Sequence, residues 1–289
     1  MVKGRLTRGT TKVVGVMGFP VKHSLSPAMH NAAFEALEMD WVYVPFEVSP
    51  EDIPEALKGV KSLGIIGVNV TVPHKENVMP YLSEISEDAH RIGAVNTIIN
   101  DRGKLRGLNT DSVGFVRSLG KEAEGNGRTA FIYGAGGSAR AVASALQRQK
   151  WRVVIHNRTR ERAEMLARSL NESGAGYNQI EVVSDNATAV NDALQVTSLF
   201  VNCTPIGMHP IVDQVPAVEI RNMPYSSIIY DLIYHPLETQ LLKAAKQLGY
   251  RTMNGAEMLV QQGAEAFELW TEQKAPVDVM RKALLRCLT

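Results

Sequence analysis

The stretch FIYGAGGSARA, residues 131–141, constrains the fold more than any other part of the chain. It joins an apolar run, TAFIY, to a helix-like run, AVASALQRQ, through a turn with Gly134, Gly136 and Ala139 at the GxGxx(G/A) positions. A glycine turn after a strand and before a helix is the fingerprint of a dinucleotide-binding βαβ unit. The first glycine permits a tight turn, the second lets the backbone approach a pyrophosphate, and the alanine permits close helix–strand packing. The first N–H groups of the helix then face the anion. A glycine-rich turn without a ligand is the plainer reading, and the strand-turn-helix context favours the nucleotide.

The same rhythm fills the rest of the chain. RVVIHN, SLFVNCT and SIIYDLIY read as further strands, with RERAEMLARSL and ETQLLKAAKQL as helices. Upstream, KVVGVMGF, WVYVPFEV, GIIGVNVTV and AVNTIIN read as strands, and PAMHNAAFEALEM, PEDIPEALKGVKSL and SEISEDAHRI as helices. This alternation predicts an α/β protein with mainly parallel sheets. A chain of 289 residues has room for two domains, and the polar KEAEGNGR separates the two series. The last helical segment, GAEMLVQQGAEAFELWTEQ, follows the second series without new strands and is expected to pack back on the first domain.

Bulk properties exclude several classes of function. The net charge is +1, with no block of like charge, so nothing draws the chain to nucleic acid or a membrane surface. No run approaches the ~20 apolar residues of a membrane helix. Lys3, Arg5 and Arg8 precede the short run VVGVMGF, which lacks a cleavage site and reads as a first strand, not a signal peptide. Cys203 and Cys287 sit in no CxxC or metal-ligand spacing, so neither a disulfide framework nor a metal is expected. The expectation is a soluble, cytoplasmic protein.

The tip of the strand after the glycine turn selects the cofactor. NAD enzymes usually place an acidic residue there for the ribose hydroxyls. Here the tip reads HNRTRER, with Asn157, Arg158, Thr159 and Arg162 and no carboxylate before Glu161. Arginine grips phosphate bidentately, which favours NADP. A solvated basic helix start is the alternative, but cations at a helix N-terminus oppose its dipole.

Other polar clusters are individually ambiguous. Ser26 before Pro27 reads as a helix cap, and Ser24 with Ser26 also makes a carboxylate site. Asn69 and Thr71 share one face of GVNVTV and need partners if both faces of the sheet are covered. Lys75 follows at the strand end, Asn96 lies on the strand GAVNTIIN, and Asp111 stands where a helix begins, as a good cap would. On the C-terminal helix, Glu257, Gln261, Glu265, Glu268 and Glu272 form a polar face, whereas Gln262 shares the apolar face of Met258, Ala266 and Leu269. An inward glutamine needs a backbone carbonyl or a polar ligand.

Taken in order, GFPVKHSLSPAMHN, GVNVTVPHK, GAVNT, GLNTDSVGF, GAGGSARA, NRTRER, NCTPIGM, DLIYHPLET and GAEMLVQQGA make the chain resemble the shikimate dehydrogenase family over nearly its whole length. The resemblance implies a substrate domain over residues 1–110, an NADP-binding Rossmann domain over 111–254, and helices over 255–289 that return to the substrate domain. It implies reversible reduction of 3-dehydroshikimate to shikimate with NADPH, on the route to chorismate and the aromatic amino acids. Carried over residue by residue, it gives the substrate carboxylate to Ser24 and Ser26, with Tyr234 nearby. The ring hydroxyls go to Thr71, Asn96, Asp111 and Gln262. The pyrophosphate goes to Gly134, Ala135, Gly136, Gly137, Ser138 and Ala139. The adenosine phosphate goes to Asn157, Arg158, Thr159 and Arg162, and Gly255 and Met258 approach the nicotinamide.

The resemblance also pairs Lys75 with Asp111 as the acid–base couple. Hydride delivery to a ketone leaves an alkoxide, and an ammonium can stabilise and protonate it. A lysine ordinarily carries its proton at neutral pH, which suits ketone reduction. Two rival readings remain: a quinate/shikimate dehydrogenase with broader substrate or NAD use, and a non-catalytic nucleotide-binding sensor. The expected partner is a small-molecule substrate, with neither nucleic acid nor membrane, and the family resemblance admits a monomer or a homodimer.

Overall fold

A computed structural model describes residues 7–173, 177–184 and 186–288 of the chain, so Lys3 and Arg5 lie outside the described residues. The first half builds β1 (Lys12–Gly18), α1 (Ser26–Ala36), β2 (Trp41–Glu47), α2 (Ile53–Ser62) and β3 (Gly67–Val70). It continues with β4 (Glu84–Ile85), α3 (Glu87–Ile92), β5 (Thr97–Asp101), β6 (Lys104–Leu108) and α4 (Asp111–Leu119). The strand order is β2-β1-β3-β5-β6-β4. β1 runs parallel to β2 and β3, β5 is antiparallel to β3 and β6, and β4 joins β6 in parallel.

Several details of this half differ from the sequence expectation, among them the short β3, which ends at Val70. KLRGL carries two cations and a glycine, too little apolar alternation to announce β6. Arg102 and Gly103, both at positive φ, nevertheless turn the chain back as a hairpin. The expected helix SEISEDAHRI starts late, because Ser86 accepts the Ala89 N–H as its cap and Glu84–Ile85 is already used as strand.

The second half builds β7 (Thr129–Tyr133), α5 (Gly137–Arg148), β8 (Arg152–His156), α6 (Arg160–Ser173) and β9 (Ile180–Val182). It then adds α7 (Ala187–Gln195), β10 (Thr197–Asn202), β11 (Ile228–Asp231), α8 (Gln240–Gln247) and β12 (Arg251–Met253). These six strands are all parallel, in the order β12-β11-β10-β7-β8-β9. This is the doubly wound Rossmann order, with its switch point between β7 and β10. The chain ends with α9 (Ala256–Thr271) and α10 (Val277–Arg286).

Both sheets are covered on both faces. In the second sheet, Val142, Ala143 and Leu146 of α5 pack with Ile132 and Trp151 on one side, while Phe131, Phe200 and Ile229 meet Leu241 and Leu242 of α8 on the other. In the first sheet, Met29 and Phe34 of α1 pack with Val260 and Phe267 of α9 and Met280 and Leu284 of α10. The C-terminal helices thus return to the first sheet as expected. α4 joins the halves by packing against both α9 and α5. Gly114 makes this approach possible, since a Cβ there would meet the Gln262 backbone N at 2.7 Å.

Candidate active site

The segment after β3 is fixed before it reaches its lysine. His74, fully buried, donates its N–H to the Thr71 carbonyl and places Nε2 2.7 Å from the Val48 carbonyl. The Lys75 carbonyl accepts the Val95 N–H at 2.8 Å. The Lys75 side chain then extends so that Nζ lies 2.5 Å from Oδ2 of Asp111, with the two side chains only 11% and 7% exposed.

Asp111 is not the cap of α4. It is the first residue of the helix, and Asn109 takes the capping work, its Oδ1 accepting the N–H groups of Asp111 and Ser112 at 3.1 and 3.3 Å. The carboxylate is thereby free for Lys75. Its other oxygen accepts from Nδ2 of Asn96 at 2.8 Å. The Asn96 amide has one possible orientation, because the Thr110 N–H donates to its Oδ1 at 2.7 Å. Asn96 is therefore behind the pocket wall, just ahead of β5, and also donates towards Oε1 of Gln262 at 3.5 Å.

The polar pair on the apolar strand finds its partners. Asn69 donates from Nδ2 to the Asn96 carbonyl at 3.2 Å and to Thr97 Oγ1 at 3.0 Å, and its Oδ1 accepts from the Tyr43 hydroxyl at 2.8 Å. Burial pushes the pKa of the Tyr43 phenol up, which keeps it a donor. β3 stops at Val70, and Thr71 follows, its N–H donating to the Met17 carbonyl at 2.9 Å.

These residues surround a pocket of about 160 Å³ between the two halves. Drug-sized sites run to roughly 300–1,000 Å³, so this pocket suits a small metabolite. Ser24, Ser26, Asn69, Thr71, Lys75 and Asp111 form one side, together with Val16. Tyr234, Gln262, Gly255 and Met258 close it with Leu232, Leu259 and Ser138 of the glycine turn. Ser26 is not the cap of α1. Leu25 holds that position in helical conformation without a side-chain bond, and Ser24 Oγ accepts the Ser26 N–H at 3.4 Å. Burial raises the pKa of the Tyr234 phenol, so it too remains a donor. Gln262 satisfies both readings of an inward glutamine, since Nε2 donates to the Leu259 carbonyl at 2.8 Å and the side chain faces the pocket. Gln261 does not simply face water: it is half-buried and donates to Glu257 at 2.7 Å.

The glycine turn has the form an anion site requires. Gly134 sits at φ +120°, and a Cβ there would meet Thr204 Cγ2 at 2.9 Å. Its N–H donates to the His156 carbonyl, tying the ends of β7 and β8 together. Gly136 caps α5 with no side-chain hydrogen bond, and a Cβ on it would meet nothing within 4 Å. The first N–H groups of the helix, at Gly137 and Ser138, have no intrahelical partner, which fits a pyrophosphate. Ala135 is partly buried and Ala139 fully buried against the sheet. At the tip of β8, Asn157 Nδ2 donates to the Thr159 carbonyl at 2.8 Å, and Arg158 and Arg162 are exposed with no acidic partner among the described residues. These four residues lie apart from the pocket, beside the turn, where they fit a phosphate on the far end of a dinucleotide. A Cβ at Gly255 would overlap the Leu232 carbonyl, so glycine there brings the start of α9 against the second sheet.

Sequence reasoning marked Asn69 as polar but not as a wall of the pocket, and it missed Asn109 and Tyr43. Asn109 carried a signal, an Asn two residues before a helix start; Tyr43, inside the apolar WVYVPFEV, carried none. Among the described residues, no cluster of three or more His, Cys, Asp or Glu could hold a metal, and no helix is long and apolar enough to cross a membrane.

Known proteins share this architecture throughout. The shikimate dehydrogenase substrate binding domain matches residues 16–98, the shikimate/quinate 5-dehydrogenase model 118–204, and the shikimate 5'-dehydrogenase C-terminal domain 255–285. A shikimate dehydrogenase (NADP(+)) of Desulforamulus reducens is 49% identical over 279 residues, 96% of this chain and 95% of that protein. A crystal structure of a shikimate dehydrogenase in complex with NADP+ superposes with a TM-score of 0.91 at 42% identity, covering 99% of both chains. The Thermus thermophilus shikimate 5-dehydrogenase, solved with NADP(H) and shikimate, superposes with a TM-score of 0.85 at 35% identity over 96% of this chain and 100% of that one. A lysine–aspartate pair in a small cleft beside a phosphate-ready turn, on a chain matched from end to end at this identity, places the protein in the shikimate dehydrogenase family.

Proposed function

We propose that the protein is an NADP-dependent shikimate dehydrogenase that reduces 3-dehydroshikimate to shikimate reversibly, a step towards chorismate and the aromatic amino acids. The observation that carries this reading is the Lys75–Asp111 pair, 2.5 Å apart in the wall of a pocket that also reaches the glycine turn. The domain division consistent with it is residues 1–110 for substrate, 111–254 for cofactor, and 255–289 returning to the substrate side; the packing of α9 and α10 on the first sheet supports it.

NADPH, when bound, supplies the hydride; the turn from Gly134 to Ala139 and the Asn157, Arg158, Thr159 and Arg162 tip are the residues that would hold it. Ser24 and Ser26 offer hydroxyls at a helix start to the substrate carboxylate, with the Tyr234 phenol as a further donor. Thr71 and Gln262 meet ring hydroxyls from opposite sides of the pocket, and Asn69 adds the free lone pair of its Oδ1. Asn96 acts by aiming Asp111. Lys75 donates an N–H to the ketone oxygen and passes its proton to the alkoxide as charge develops there. Asp111 orients the ammonium. In the reverse direction Lys75 must first give up its proton.

The test is NADPH oxidation with 3-dehydroshikimate, run beside NADH and beside 3-dehydroquinate. Turnover confined to NADPH with 3-dehydroshikimate supports the proposal. Comparable turnover with NADH or 3-dehydroquinate would move the enzyme to broader use. Binding of NADPH without turnover would leave a sensor and remove the role given to Lys75.

A further inference from the structure

The first turn of α5 does more than face a phosphate: it is packed onto the catalytic lysine. Ser138 Oγ lies 3.3 Å from Lys75 Nζ. A Cβ added to Gly137 would sit 3.2 Å from both Cβ and Cδ of Lys75, so the lysine stem runs against the turn where the glycine has no side chain. Further along α5, Arg140 Nε pairs with Glu76, the residue after Lys75, at 3.3 Å, and the Arg140 guanidinium fills the space beside Gly93. Contacts from Gly137, Ser138 and Arg140 thus join the start of the cofactor helix to residues 75 and 76.

We propose that Ser138 is a positioning residue for Lys75, its hydroxyl holding the ammonium in register with Asp111 and the substrate oxygen. The inference rests on the reading of Lys75 as the proton donor. An ammonium has three N–H groups. Asp111 takes one and Ser138 a second, which directs the third into the pocket. Without Ser138, the ammonium can swing about its bond to Asp111, and fewer of its orientations deliver a proton. Because Ser138 belongs to the turn that receives the cofactor, the acid takes its working geometry only when the cofactor half is in place. One turn of the chain thus serves both the cofactor and the orientation of the acid.

The experiment compares Ser138→Ala, Ser138→Thr and wild type in single-turnover NADPH oxidation by 3-dehydroshikimate, with the Kd for NADPH measured by fluorescence on the same samples. Ser138→Ala is expected to slow hydride transfer about tenfold, the factor of one hydrogen bond to a charged group, with the NADPH Kd within about twofold of wild type, because alanine keeps the backbone N–H that the turn offers to the phosphate and removes only the hydroxyl held by Lys75. Ser138→Thr, which keeps the hydroxyl, should restore the rate to within about threefold. Gly137→Ala gives a second perturbation, since its new methyl presses the lysine stem; it should slow transfer more than it weakens NADPH binding. A Ser138→Ala enzyme with weakened NADPH binding and an unchanged transfer rate would overturn the proposal and leave Ser138 as a phosphate ligand only. Lys75→Ala serves as the reference. If that variant is inactive while Ser138→Ala transfers at the wild-type rate, this inference alone fails; if Lys75→Ala retains full turnover, the reading beneath it fails.

Discussion

His30 is the residue whose titration should limit this protein in acid. It lies one turn after Ser26 on α1, fully buried, stacked on Tyr43 at 4.3 Å between ring centroids and surrounded by Phe34, Phe267 and Trp270. Neither ring nitrogen has a hydrogen-bond partner among the described residues. Burial alone holds its pKa at about 3 instead of 6.5. The folded value is depressed, so between pH 6.5 and 3 the unfolded chain binds the proton and the native chain does not. Stability is fully present above pH 6.5 and is lost as pH falls through that window. At 1.36 kcal/mol per pH unit, the loss is about 2 kcal/mol at pH 5 and about 3 kcal/mol at pH 4. His30→Leu removes the titration and the two unpaired nitrogens at similar volume, although it forfeits the stacking on Tyr43. Urea unfolding followed by circular dichroism at pH 7.5, 5 and 4 gives the comparison. The wild type should lose about 2 kcal/mol more than His30→Leu between pH 7.5 and 5. Parallel pH profiles for the two proteins would refute the argument, whatever their absolute stabilities.

Lys75→Ala should lower kcat by about 10²-fold or more with a small change in KM, as loss of an acid–base group does, and steady-state kinetics with 3-dehydroshikimate would show it. Arg158→Ala and Arg162→Ala should each raise the KM for NADPH roughly tenfold while leaving that for NADH nearly unchanged, since each removes a charge-assisted bond to a phosphate NADH lacks; equal losses with both cofactors would remove the phosphate role. Asp231 behaves oppositely to His30: burial raises its pKa from 3.8 to about 6 against the hydrogen bonds of Thr239, Ile233 and Asn202. Its native state holds the proton longer, so stability falls as pH rises from about 4 to 6, by about 3 kcal/mol in all. Asp231→Asn should therefore compare better with wild type in thermal melts at pH 8 than at pH 4.5, and a constant difference would argue against it.

The parts of the site that lie within one element were legible in the sequence. Helical periodicity alone turned Gln262 inward and separated it from Gln261, and the glycine turn declared β7 and α5 together. Period two put Asn69 and Thr71 on one face, although β3 ends before Thr71. What could not be read depends on strand order. Tyr43 pairs with Val14, and Asn69 with Val16, on opposite sides of β1. The phenol therefore reaches Asn69 across a central strand, a contact that no local pattern records. The caps failed for a related reason. Ser26 and Asp111 are good cap residues by type, yet Leu25 and Thr110 occupy the cap positions. Both expected caps lie one position inside their helices, where their side chains reach the pocket. In both places the residue that looked like a helix signal is used for the site, and a neighbour, Ser24 or Asn109, bonds the free backbone N–H.

The hydrogen bonds around Lys75 indicate why a charged pair is buried here at all. Removing two ions from water loses hydration that their mutual attraction only partly returns, and apolar side chains of like size commonly hold a fold as well or better. Stability is thus a poor reason for Lys75 and Asp111. The bonds also have a direction. The Thr110 N–H fixes Asn96, Asn96 donates to one oxygen of Asp111, and the other oxygen accepts from Lys75. The Asn96 amide is oriented by a backbone N–H that can only donate, the carboxylate can only accept and the ammonium can only donate, so the chain cannot reverse without opposing two acceptors or two donors. The ammonium ends that chain with an N–H that has no protein acceptor among the described residues, at the wall of a small pocket. An unpaired donor in such a place is unfavourable for folding. It becomes favourable when an oxygen arrives to accept it, most of all one that is gaining negative charge.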